Sequence, residues 1–162
     1  MDGIETALPA AKLAQLRGAY NRGQITVLLK ATLPRLYAHS KGYVDAIAAA
    51  FYDNLPEDDC PAEDRETLTI QDRERCLIAV LASRRQDFDL AVHVYVGLME
   101  GITPGEIGNI MLLAGMYTGI DNFARGLYTA IGAAKALAAL VDAGGPIDAP
   151  AVGDKLRTTF PG

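Results

Sequence analysis

Among the 162 residues, the types and spacings that could perform chemistry converge on His93, one of only two histidines. Asp89 precedes it by four positions, so on a helix the two side chains are surface neighbours. The carboxylate can then hold one imidazole nitrogen and bias the other toward a ligand. Glu74 is the second candidate. In a helical reading its neighbours Ile70, Leu77, Ile78 and Leu81 form one apolar face, and Glu74 falls on that face, four after Ile70 and three before Leu77. A carboxylate in an apolar stripe is either an acid-base group or a rim position paired with an arginine such as Arg73 or Arg75 of a neighbouring subunit. The stripe Asp89, His93, Gly97 and Glu100 has its own ordinary alternative, a solvated helix face.

The elements that must position these groups all read as helices, six to seven of them in an all-α bundle. Thr69-Ile70-Gln71-Asp72 is a capping-box start for a helix reaching about Ser83. From Asp87 to Glu100 a second helix is apolar nearly all round, which predicts a central or interface position. Gly101 suits a left-handed helix end. Thr103-Pro104-Gly105-Glu106 supplies an N-cap hydroxyl, a proline at N1 and a glutamate at N3 for the next helix, which halts near Tyr117-Thr118-Gly119. A long helix from about Ile120 ends at Gly144-Gly145-Pro146. Ahead of this set, Thr6 to Tyr20 reads as an arm or outer helix, with further helices over Gln24 to Leu36 and Ser40 to Leu55. Pro56 to Asp64 reads as an acidic surface loop. Residues 1–65 thus form N-terminal helices and an acidic loop packing on a core at 66–145, and 146–162 forms a C-terminal tail or arm.

Composition narrows the partners. With 20 acidic and 15 basic residues the net charge is -5, which disfavours nucleic acid and anionic membranes, both of which draw on clustered cations. No apolar run is long enough to span a bilayer, and Met1-Asp2-Gly3-Ile4-Glu5 lacks a signal-segment pattern, so a cytoplasmic protein is expected. Cys60 and Cys76, sixteen positions apart, read as two reduced thiols rather than a disulfide, and neither metal nor cofactor is expected.

At Arg73-Glu74, His93, Gly101, Glu106-Ile107 and Tyr117-Thr118-Gly119 the chain resembles the carboxymuconolactone decarboxylase family, over roughly Leu68 to Ala139. The resemblance implies an all-α bundle assembled as a homotrimer or homohexamer, with active sites near subunit contacts. In the alkylhydroperoxidase branch of that superfamily a Cys-x-x-Cys lies just before the histidine. Here those positions hold Gln86 and Asp89, so the thiol chemistry lacks its thiolate and its resolving partner. In the decarboxylase branch the residue four before the histidine is Glu, and Asp89 is a shorter acid of the same charge. Glu74 falls where the peroxidase branch has a proton-relay glutamate. The Trp-rich segment of dedicated decarboxylases has no counterpart, since the chain has no Trp.

These features predict a cofactor-independent lyase or isomerase acting by general acid-base catalysis on a small carboxylated lactone or cyclic keto compound. His93 would donate the proton, Asp89 would orient its ring, and Glu74 would serve as a second acid or base. Tyr95 and Tyr117 are candidates for polar substrate atoms. Arg73 is the candidate for a substrate carboxylate, with Arg84 and Arg125 also available. A non-catalytic oligomeric binding or scaffold protein of the same fold is the alternative, and a peroxide-linked oxidoreductase the third reading.

Overall fold

The computed structural model describes residues 2–32, 38–48 and 68–161, and every regular element among them is helical. The N-terminal part comprises α1 (Asp2–Ala7), α2 (Ala10–Ala19), a 3-10 turn (Arg22–Gln24), α3 (Ile25–Thr32) and α4 (Lys41–Ala48). The second part comprises α5 (Ile70–Arg84), α6 (Asp87–Met99), α7 (Pro104–Thr118), α8 (Ile120–Asp142) and α9 (Ala149–Thr159). The acidic stretch Pro56 to Asp64, and the far ends of the helices expected over Gln24 to Leu36 and Ser40 to Leu55, lie outside the described residues.

Caps set the boundaries of the second part. Thr69 Oγ1 accepts from the Asp72 amide at 3.0 Å to start α5. Arg85 ends it in the left-handed region at φ 58. At α7 both halves of the capping box form, with Thr103 Oγ1 accepting from the Glu106 amide and the Glu106 carboxylate accepting from the Thr103 amide. The backbone and side-chain hydrogen bonds from Thr103 hold the Glu106 carboxyl below its ordinary range.

The core lies where α5, α6, α7 and α8 meet. From Leu90 to Glu100 every residue except His93 is buried, the central position expected of a helix apolar nearly all round. Close approach depends on small residues of α8. A Cβ on Gly126 would stand 2.9 Å from Met111 Sδ and 3.3 Å from Ala82 Cβ, so the absence of a side chain there lets α8 lie close to both α5 and α7.

Two sequence expectations change. The single helix over Thr6 to Tyr20 is broken at Pro9, which cannot donate to a continuing helix and instead stands at the N-cap of α2. This segment is also no outer arm, because Ile4, Leu8 and Leu16 are fully buried and α1 packs on α7 and α8. The expected tail contains α9. Asp148 caps it through the Ala151 amide at 2.9 Å, and Ala149, Val152 and Leu156 bury one face against α3 and α8. Pro150, which reads as a breaker in sequence, sits in the first turn, where its missing N–H costs nothing.

Candidate functional site

The site is built on α5 and α6, which run antiparallel because only Arg85 and Gln86 separate them. The register follows from two hydrogen bonds. Gln71 Nε2 donates to the Glu100 carbonyl at 3.0 Å, and three residues along α5 Glu74 Oε2 lies 2.8 Å from His93 Nδ1. Gly97 eases this closeness, since a Cβ there would stand 3.2 Å from Ile78 Cδ1 and Ile102 Cδ1 and 3.9 Å from Glu74 Cβ. The stripe Asp89, His93, Gly97, Glu100 is therefore not a solvated face. It turns toward α5, and Gly97 and Glu100 are buried.

Glu74 is 0% exposed, with Ile70 and Ile78 one turn before and after it equally buried. Its Oε1 has no hydrogen-bond partner among the described residues. The His93 side chain keeps 18% of its surface exposed, and its Nε2 is without a partner among the described residues. With Nδ1–H donated to the carboxylate, a neutral ring presents a lone pair at Nε2 and a protonated ring presents Nε2–H. One nitrogen is thus anchored and the other is available for proton transfer.

The other expected site residues are dispersed. Asp89 is half-buried one turn before His93, but the carboxylate on the ring belongs to Glu74 and not to Asp89. Asp89 instead lines a groove of about 630 Å³ with Arg85, Asp87, Phe88, Arg125 and Phe160. Within it Arg125 is committed to Asp87 by hydrogen bonds of 2.9, 3.1 and 2.5 Å, and this guanidinium holds the Asp87 carboxyl below its usual range. Tyr95 follows His93 by two residues, roughly 200° round the helix. It is buried with its ring edge-on to Tyr20, centroids 6.2 Å apart, and burial pushes its hydroxyl up to about 12. Tyr117 is 84% exposed. Arg73 is half-buried beside Glu74 in sequence, and Arg84 is exposed. Cys76 is an exposed free thiol.

Two buried polar residues carry no clear sequence signal. Gln71 is 7% exposed, and its Oε1 has no hydrogen-bond partner among the described residues. Glu100 is 8% exposed and engages both oxygens: Tyr20 donates to Oε1 at 2.5 Å, and Arg22 donates to Oε1 at 3.2 Å and to Oε2 at 2.6 Å. Burial, and next the Glu100 carboxylate, push the Tyr20 hydroxyl far above its ordinary value. Only the i, i+3 spacing of Gln71 with Glu74 could have marked the former, because the partners of Glu100 lie some eighty residues away in the chain.

Among the described residues no three His, Cys, Asp or Glu side chains are grouped to hold a metal ion, and no helix is long and apolar enough to cross a membrane. A family model described as the carboxymuconolactone decarboxylase family matches residues 48–136, which contain α5, α6 and α7 whole, most of α8, and both Glu74 and His93. Comparison with curated proteins and with solved structures returned no significant match.

Proposed function

The chain belongs to the carboxymuconolactone decarboxylase family, and from that premise we propose that it is a cofactor-independent lyase or isomerase working by general acid-base catalysis on a small carboxylated lactone or cyclic keto compound. Family membership alone points to a decarboxylase-like or alkylhydroperoxidase-like protein. The observation that carries the finer reading is the 2.8 Å contact between the fully buried Glu74 carboxylate and His93 Nδ1, with Nε2 left without a partner among the described residues. The peroxidase branch would require two thiols before the histidine, where Gln86 and Asp89 stand.

In this mechanism loss of carbon dioxide leaves the bonding electron pair on the adjacent carbon, delocalised into a carbonyl as an enolate. His93 Nε2–H then protonates that carbon, and Glu74 stabilises the ring charge and fixes its direction. Solvent restores the proton at the exposed edge of the ring. Asp89 lies one helical turn away in the groove, placed to set the charge balance around the substrate rather than to hold the ring. Arg73 is the proposed contact for the substrate carboxylate. Tyr95, turned away and packed on Tyr20, has no part in the proposed site.

We propose that the protein works as a homotrimer or homohexamer. Support comes from the bare apolar side chains Leu112, Leu113, Met116, Tyr117 and Ile120 at the end of α7 and the start of α8, each at least 42% exposed. On such a face Tyr117 could contact substrate only in a neighbouring subunit's site. The test is a panel of carboxylated lactones and cyclic keto acids assayed for carbon dioxide release. His93→Gln is expected to lower turnover about 10²- to 10⁴-fold while the oligomer survives, and full activity in that variant would exclude the proposal.

A further inference from the structure

Gln71 Oε1 and Glu74 Oε1 are both buried acceptors on the inward face of α5, three residues apart, and neither meets a donor among the described residues. The Gln71 amide cannot be turned over to help. Its Nε2 already donates to the Glu100 carbonyl at 3.0 Å, which assigns the oxygen to the opposite side of the amide plane. The Glu74 carboxylate is fixed in the same way, because its Oε2 is on His93 Nδ1. Buried polar groups in folded proteins are almost always satisfied, by protein or by ordered water. Two anchored acceptors one helical turn apart on one face call for two donors. A water molecule has two.

We propose that one buried water molecule binds between Gln71 Oε1 and Glu74 Oε1, donating a hydrogen to each, and that Gln71 is thereby a positioning residue of the Glu74–His93 pair. The water completes a line of hydrogen bonds from the Glu100 carbonyl through Gln71, water and Glu74 to the imidazole. It locks the carboxylate from the side opposite His93, so the ring is held by a group that is itself held. This deepens the acid-base reading by adding Gln71 to the same site. The water is sought in the resting protein without substrate, so its absence would sink this inference and leave that reading standing.

The test is a high-resolution crystal structure of the full chain, with a proton NMR spectrum of the His93 ring. Density for a water within about 3.2 Å of both oxygens is expected. If instead a protein donor reaches either oxygen, or no density lies between them, the inference is wrong. In Gln71→Leu the water loses one of its two acceptors. Its density should disappear and the His93 Nδ1–H resonance should move, while a variant keeping both unchanged would overturn the positioning role. If Gln71→Leu fails to fold, the density in the unaltered chain still decides.

Discussion

Glu74 on α5 and Glu100 at the end of α6 are two buried glutamates, and they are treated in opposite ways. Glu100 has both oxygens engaged, by the Tyr20 hydroxyl and the Arg22 guanidinium, which ties the N-terminal segment to the end of α6. Arg17 adds to this tie by donating to the Leu98 carbonyl at 2.8 Å. Glu74 has one oxygen on an imidazole and the other on no donor among the described residues. A fully satisfied polar network rigidifies the structure around it. A buried acid served by one imidazole and otherwise only by water lacks that protein-built rigidity, and such departures are characteristically retained where the group has chemistry to perform. The contrast separates a structural lock from the proposed reactive site more sharply than residue type or burial alone, since both are glutamates and both are buried.

The largest effect that would sharpen this contrast is on the lock. Glu100→Ala strands the Tyr20 hydroxyl and the Arg22 guanidinium, whose side chain is only 29% exposed. A loss of about 2–3 kcal/mol is expected in urea unfolding, and a change under about 0.5 kcal/mol, the range of ordinary surface substitutions, would show that the cluster is not a lock. The same region should fail at high pH. The Tyr95 hydroxyl is pushed up to about 12 by burial, and that of Tyr20 is raised further. A raised folded-state value means that the contribution is fully present below the ordinary tyrosine value of about 10 and is lost as pH rises through the folded value. Thermal midpoints should therefore fall from about pH 10 to 12, and a flat profile there would break the assignment. A smaller effect is expected at the site. Gly97→Ala places a methyl 3.2 Å from Ile78 and Ile102 and against Glu74 Cβ. It should cost about 1–2 kcal/mol and, by pushing α5 away, weaken the Glu74–His93 contact, which the His93 ring proton resonance would report.

The parts of this arrangement legible in the sequence were those set by local rules. Thr69, Thr103, Pro104 and Glu106 announce helix starts through hydrogen bonds made within one turn, and the apolar circumference of α6 announces its central position. Glu74 stood out because a carboxylate in an apolar stripe breaks that pattern. Which acid holds His93 was not legible. Asp89 is the nearer in sequence, yet the antiparallel register of α5 on α6, set by the two-residue turn and by Gly97, brings Glu74 to the ring instead. The lock around Glu100 was invisible for the same reason, its partners being brought in by tertiary packing. Helix α9 was missed because its apolar set is short and Pro150 at its start resembles a terminator.

The central claim is that Glu74 is kept in the core for its reactivity and not for stability. It is tested most directly by measuring, on Glu74→Gln, the rate of carbon dioxide release from a carboxylated lactone that the unaltered chain turns over, together with the free energy of unfolding. The predicted result is a rate lowered about 10²- to 10⁴-fold with stability changed by no more than about 1 kcal/mol, since an amide of the same shape can still meet His93. Retained turnover accompanied by a large loss of stability would contradict the claim and make Glu74 a second lock.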